Sequence, residues 1–467
     1  MSDLTPSATS AQFRGLLRYF AFDPGPLTMQ ILTADHLTAI VAQEVGKTRD
    51  RIFTPLLTLA AFLGQILAPD HSCQAVVARL IAWRTARGLP TCSADTGGYC
   101  KARQRLPETL LPRLVRDTAD RIGDHARADW LFHGRRVIIA DGSMVSMPDS
   151  PENQAEYPQH SMQKPGCGFP VARIVVLIAL ATGCVLDAAI GAGKGKRTGE
   201  MALMRRLHSR LKRGDILLAD SYFSSFDEVV TLAAAGVDVV MRQHGGRASD
   251  FRRGQRLGRE DHLVQWRRHA HRPEWMSREE FAELPRSILM RELRVRVDQV
   301  GFRSRVLVVV TTLLEAGTFG REELEGLYRA RWQAELDIRT IKQTLGMDML
   351  RCRTPEMVRK EIWGHLLVYD LIRGVMAEAA SRRTLRPQQL SFAGTRQMIE
   401  GFRVGLNRDT SDPIDGLVVG LLGVIATLRA GDRPDRYEPR VQKRRPKEYP
   451  LMQEPRGTFK KRLAKAG

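Results

Sequence analysis

Arg136-Val137-Ile138-Ile139-Ala140-Asp141-Gly142 contains a short apolar run that closes on a carboxylate. A second run, Ile216-Leu217-Leu218-Ala219-Asp220, closes the same way. Unbroken apolar runs of this length, bounded by polar residues and glycine, are the pattern of strands buried on both faces. A carboxylate at the end of a buried strand is costly unless something compensates it. One such aspartate is most simply a turn or a helix cap, since Asp favours both. Two at matching positions, on strands able to lie side by side, point to divalent metal. Hard cations take oxygen ligands, and two ions roughly 4 Å apart can act on both the attacking and the leaving oxygen of a phosphoryl transfer.

Outward from these two runs the pattern alternates. Pro170 to Ala181 and Cys184 to Ile190 predict a strand pair turned by Thr182-Gly183. Glu200 to Leu211 predicts a basic amphipathic helix, Phe226 to Ala235 a second helix, and Val237 to Met241 a further strand. Strands alternating with helices after an initial meander predict a mixed α/β sheet. From His244 the chain turns Arg-rich and ends in two alternating segments, Leu293 to Val300 and Arg303 to Thr312. Residues 243–312 therefore read as a β-rich insertion separate from the main sheet. Arg321 to Leu345 predicts one long helix. Before residue 131 the chain reads as helical: His36 to Leu67 and Cys73 to Arg84 carry apolar residues at three- and four-residue intervals, punctuated by Pro24, Pro26, Pro69 and Pro90. The expected organisation is a helical region 1–130, an α/β domain 131–375, a helical region 376–430 suited to dimerisation, and a basic tail 431–467. The tail is rich in Pro, Lys and Arg without apolar periodicity, which predicts disorder.

The long helix offers a third carboxylate. Tyr328, Arg331, Glu335 and Lys342 fall at offsets of 0, 3, 7 and 14. At about 100° per residue they project within roughly 60° of one another, so one helix face carries an acid, a phenol and two cations. Such a face suits a metal-bound phosphodiester. An exposed helix with pairing at four-residue spacing, such as Arg331 with Glu335, accounts for the charges equally.

The chain of 467 residues holds 72 Lys and Arg against 52 Asp and Glu, a formal net charge of +20. That surplus favours a polyanionic partner, because neutralised phosphates release condensed counterions. Arg dominates from Arg242 to Arg272 and from Arg286 to Arg305, and its planar fork can bind phosphate through two parallel hydrogen bonds. The segment Tyr99 to Pro107, with Arg103 and Arg105, reads either as a DNA backbone contact or as a solvated helix face. The longest apolar run, Ile174 to Leu186, is too short to span a bilayer and Asp187 closes it, so no membrane role is expected. Met1-Ser2-Asp3 opens no export signal. The six cysteines show no zinc spacing and read as free thiols in a reducing cytoplasm. Gly191 to Lys196 lacks the spacing of a phosphate loop, and His269 with His271 is too small a set for a metal.

Tyr328-x-x-Arg331-x-x-x-Glu335-x-x-x-x-x-x-Lys342 resembles the Y-(2)-R-(3)-E-(6)-K signature of bacterial DDE transposases of the insertion-sequence-four family. Asp141-Gly142-Ser143, Leu217 to Phe223, and the stretch from Pro148 to Asn153 through Gly166 to Pro170 resemble that family's other motifs, in the same order. The resemblance covers Asp141 to about Arg373, and more loosely Tyr99 to Pro107; no motif position departs from the pattern. It implies an RNase H-like catalytic core with the β-rich insertion before the helix of Glu335. It implies two Mg²⁺ ions, with Mn²⁺ as a substitute, held by Asp141, Asp220 and Glu335. It also implies hydrolytic cleavage at the element's terminal inverted repeats, then attack of the freed 3′-hydroxyl on target DNA by a cut-and-paste route, with a hairpin in related enzymes. Tyr328, Arg331 and Lys342 would hold phosphates, and a homodimer would act on the DNA in the bacterial cytoplasm, associated with the nucleoid. The family also places a tryptophan of the insertion against a flipped base; Trp266 and Trp275 are the candidates, and Pro273-Glu274 puts Trp275 on a loop. Two other readings remain: a domesticated DNA-binding protein that has lost the chemistry, and another RNase H-like nuclease such as a junction resolvase.

Overall fold

A computed structural model of the chain describes residues 34–46, 52–86, 88–296, 306–406, 415–431 and 452–466. Its strands are β1 (Val137–Ser146), β2 (Val171–Ala179), β3 (Val185–Ala192), β4 (Ile216–Ala219), β5 (Asp238–Arg242), β6 (Gln255–Gly258), β7 (Asp261–Arg267), β8 (Ser287–Arg296) and β9 (Val306–Thr311). They form one sheet in the order β3-β2-β1-β4-β5-β9-β8-β7-β6. The two runs that open the sequence reading lie in its middle: all of Val137 to Ala140 and Ile216 to Ala219 are buried. β1 runs antiparallel to β2 and parallel to β4, and β4 runs parallel to β5. Helices accompany this 3-2-1-4-5 core, which is the RNase H-like mixed α/β arrangement the sequence leads one to expect.

The insertion departs from expectation. Its strands do not make a separate sheet but continue the main one, because β9 pairs antiparallel with β5 through Val240↔Thr311, Met241↔Val310 and Arg242↔Val309. A strand as apolar as β5 cannot be left with an unpaired ladder edge, and the buried Val309 and Val310 of β9 supply the partner. β8, β7 and β6 follow, each antiparallel to its neighbour. Part of the arginine wealth here is structural. Arg291, buried on β8, holds the buried Asp261 of β7 through two bonds of 2.9 and 2.6 Å. Residues 297–305 of the expected strand segments lie outside the described residues.

The expected long helix is broken. Arg321–Ala330 and Trp332–Arg339 are α-helical, and Thr340–Thr344 is a π-helical turn. A π turn spaces its hydrogen bonds one residue wider, so the straight-helix phase that placed Lys342 beside Glu335 does not carry through it.

The chain divides into two compact units. One comprises Met1–Trp130, Ala181–Asp187 and Asp337–Gly431; the other comprises Leu131–Leu180, Ala188–Leu336 and Asp432–Gly467. The first is helical around Pro355–Ser381, whose side chains are almost all buried. Ser72 and Thr54 cap the neighbouring helices Cys73–Thr85 and Pro55–Leu67, their hydroxyls accepting from Ala75 and Leu57. The second unit holds the carboxylates discussed below. Within the segment expected to be a disordered tail, Arg456–Ala466 is a helix, and residues 432–451 lie outside the described residues. Among the described residues no helix is long and apolar enough to cross a membrane.

Candidate active site

In the parallel β1–β4 ladder Ile139 pairs with Leu218. Asp141 and Asp220 each stand two residues further on, so the register brings them out level on strands about 4.8 Å apart. The two are not equivalent, however. β4 stops at Ala219, and Asp220 caps the turn Ser221–Phe223 by accepting from the Ser221 N–H at 2.6 Å. β1 runs on past Asp141 to Ser146 because β2 still pairs with it, Asp141 opposite Val176. Asp141 is therefore a mid-strand residue rather than the strand end expected from sequence, and it accepts from the Gly142 N–H at 2.9 Å.

Glu335 comes from the Trp332–Arg339 helix. Its side chain is 42% exposed, and it accepts from Arg331 at 3.0 Å. Arg331 is buried and faces several of the others at once. Burial works against its charge, yet Tyr328, Asp220 and Glu335 together hold its pKa above the ordinary value. Burial is also the main reason that Asp141 is pushed up to about 6; the Gly142 N–H and Arg331 oppose this, while Glu335 and Glu200 add to it. Tyr328 is buried and pushed up by that burial, with Arg331, Asp220 and Arg242 close enough to act on it. Asp141, Asp220, Glu335, Tyr328 and Arg331 thus share one electrostatic neighbourhood. Lys342 belongs to the other compact unit, on its π-helical turn.

Among the described residues no three carboxylate, imidazole or thiol side chains stand close enough to hold a metal ion as they are. The donor chemistry nonetheless fits a hard divalent cation. The set is all oxygen, and the Asp141 carboxylate, pushed up chiefly by its burial and further by Glu335 and Glu200, would be favoured in its charged form by a cation.

The two tryptophans differ. Trp266 is 1% exposed and its Nε1–H donates to the buried Glu292 at 2.8 Å, with Arg247 over its ring at 4.0 Å, so it is a core anchor of the sheet. Trp275 is 38% exposed on the loop before Arg278–Glu283, with the Arg205 guanidinium over its ring at 3.4 Å. Arg103 turns inward, donating to Gln65 at 3.1 Å and to the Cys73 thiol at 3.4 Å above the rings of Phe62 and Tyr99. That leaves Arg105 as the exposed member of its pair. The six cysteines are free. His269 packs edge-on to Phe226 and stands 3.8 Å from Asp227.

Near the carboxylates Glu200 escaped sequence reasoning, and Arg242 and Tyr222 were read only as parts of longer stretches. Glu200 lies against Gly142. Arg242, the last residue of β5, acts on Tyr328; the sequence marks it only as the start of an arginine-rich stretch. Tyr222, two residues past Asp220, is an exposed aromatic, 53% accessible.

Residues 132–371 match the family described as Transposase DDE domain. The chain is 28% identical over 357 residues to transposase InsG for insertion sequence element IS4 of Escherichia coli (strain K12), covering 75% of this chain and 77% of that one. It is 33% identical over 69 residues to the transposase for insertion sequence element IS421 of Escherichia coli, 15% of this chain and 19% of that one. Among solved structures, a piggyBac transposase synaptic complex with hairpin DNA is similar at a TM-score of 0.42 and 10% identity, covering 91% of this chain and 88% of that chain.

Proposed function

This chain belongs to the DDE-domain transposases, enzymes of DNA strand cleavage and transfer, and from that premise we propose that Asp141, Asp220 and Glu335 carry its chemistry. The observation that supports this best is the level register of Asp141 and Asp220 across β1 and β4, with Arg331 facing both Asp220 and Glu335. The three carboxylates would hold two Mg²⁺ ions, or Mn²⁺ in their place. When bound, the metal supplies Lewis-acid stabilisation of the attacking and leaving oxygens of the phosphodiester.

The rest falls to the chain's own residues. Arg331 offsets the carboxylates in the free enzyme and has donors to spare for a phosphate. Tyr328, a phenol that burial pushes further above its ordinary pKa, presents a hydroxyl donor near Asp220. Lys342 serves a phosphate as a point charge, and Trp275 offers an exposed face to an unstacked base. The first reaction is hydrolysis of a strand at the element's end. The 3′-hydroxyl so freed then attacks a second phosphodiester, either the opposite strand, closing a hairpin, or target DNA. The net charge of +20 provides the sequence-independent part of DNA affinity. We assign end recognition to the helical region before residue 131, Arg105 included, and pairing of two copies to residues 376–430. The enzyme would act at the nucleoid, in the cytoplasm.

The test uses a DNA fragment carrying the inverted repeats that flank the gene, incubated with the protein and Mg²⁺ and resolved on denaturing gels. Nicked ends followed by joined products support transposition. Cleavage without joining would make the enzyme a nuclease, and binding without cleavage would make it a retired DNA-binding protein.

A further inference from the structure

Gly142 is a glycine without a backbone reason to be one. It lies in the middle of β1, opposite Val175 of β2, and its φ is not among the positive values that glycine relieves. A glycine inside a strand loses packing and conformational stability, and commonly marks a place where something else comes close. Here the visitor is identified. A Cβ at residue 142 would lie 2.7 Å from Cδ of Glu200, 2.9 Å from its Oε1 and 3.0 Å from its Cγ. The carboxyl group of Glu200 therefore occupies the space that a side chain at residue 142 would fill, one position after Asp141, and it acts on Asp141 through space.

Glu200 is itself unusual in this chain. It opens the six-residue helix Glu200–Arg205, is only partly exposed, and has no hydrogen bond or ion pair among the described residues although cations outnumber acids. The loop that leads to it is held: Arg173 of β2 donates to the Thr198 carbonyl at 2.9 Å. The Tyr222 hydroxyl closes the other side, 3.8 Å from where a Cβ on Gly199 would be. The Glu200 charge therefore acts unneutralised on its surroundings, Asp141 included.

We infer that Glu200 is a fourth carboxylate of the active site, set beside Asp141 by the space Gly142 leaves open, and that it strengthens the site's hold on a divalent cation. The inference rests on the reading of Asp141, Asp220 and Glu335 as the metal-binding carboxylates. Glu200 acts through space, by adding negative charge near Asp141, so it is a positioning residue. Groups that support metal ligands from behind typically change metal affinity by about 10- to 100-fold when replaced.

The experiment measures Mn²⁺ binding to the full-length protein by calorimetry and by the Mn²⁺-induced rise in Tm. Glu200→Gln is expected to weaken Mn²⁺ binding about 10-fold or more, with an unchanged metal-free circular dichroism spectrum and Tm. Gly142→Ala should weaken it in the same direction by displacing the Glu200 carboxyl. In a Glu200→Ala background, where nothing stands in the way, Gly142→Ala should add no further loss, which separates the steric account from a general strand defect. Mn²⁺ affinity of Glu200→Gln within about twofold of wild type overturns the inference. Asp220→Asn distinguishes the two failures. If it loses metal binding while Glu200→Gln keeps it, the site reading stands and only Glu200 falls; if Asp220→Asn also keeps it, both fall.

Discussion

Arg331 donates to Glu335 at 3.0 Å from a buried position, while its partner is half-exposed. The exposed end of the pair is the one free to meet a substrate, and the buried end is the one that answers the charge of Asp220 and Asp141. Replacing Arg331 with Ala takes from Glu335 its ion-pair partner and from Asp141 and Asp220 a cation that acts on them, and removes a donor for phosphate. The expected loss in single-turnover cleavage is about 100-fold, the scale of removing one charge-stabilising donor. Arg331→Lys should restore little, since an ammonium cannot bridge two acceptors as the planar fork does. Rates within about threefold of wild type for Arg331→Ala would refute the assignment.

Asp141 gives a pH signature in the absence of metal. Its pKa stands near 6 in the folded protein against a usual 3.8. Between those values the folded form binds a proton that the unfolded form has released. The contribution therefore favours folding fully below about pH 4 and is lost as pH rises through about 6. Metal-free Asp141→Asn should lack that decline and melt higher than wild type at pH 7, with Mg²⁺ raising the Tm of wild type but not of the variant. Parallel Tm curves for the two proteins from pH 4 to 7 would contradict this.

Asp337 lies two residues from Glu335 in sequence but has a different fate. It is 1% exposed and ion-paired with the buried Arg373, which also donates to the Tyr369 hydroxyl at 2.7 Å. Removing one member of a buried pair strands the other charge, typically at a cost of about 3–5 kcal/mol. Asp337→Ala should lower the urea midpoint strongly, whereas Glu335→Ala should leave it nearly unchanged and abolish cleavage. The reverse pattern would mean that the wrong acid has been assigned to the site.

The two tryptophans should likewise part company. Trp266→Ala empties a fully buried site and deprives Glu292 of a donor, so a destabilisation of about 3–5 kcal/mol is expected in chemical unfolding. Trp275→Ala should leave stability within about 1 kcal/mol, as for other surface changes, and instead reduce the fluorescence rise of 2-aminopurine placed at the transposon end. An unaltered rise would remove Trp275 from any role in base flipping.

How much of this was legible depended on whether a local pattern marks the cooperating residues. Asp141 and Asp220 could be paired from sequence, although distant in the chain, because each ends an apolar run of the same form. The helical period groups Glu335 with Tyr328 and Arg331, while for Lys342 the π turn changes the angular step, so a straight-helix phase alone does not fix its direction. The joining of β9 to β5 was hidden, since which strand edges meet is decided by pairing across some seventy residues, from Val240 to Thr311. Arg103 shows the limit of reading charge: its residue type suits phosphate, but Gln65, Cys73 and two aromatic rings hold it inward. Glu200 sits outside any acidic motif, and only the missing Cβ of Gly142 records that it is there.

If Asp141, Asp220 and Glu335 form one metal-dependent active site for transposition, the difference between wild type and Asp220→Ala shows it most plainly. Both are incubated with DNA carrying the flanking inverted repeats, and end binding is followed by gel shift and strand cleavage on denaturing gels, with and without Mg²⁺. Wild type should cleave only with the metal, and Asp220→Ala should bind the ends as wild type does and cleave at no detectable rate. Full Mg²⁺-dependent cleavage by Asp220→Ala would contradict it.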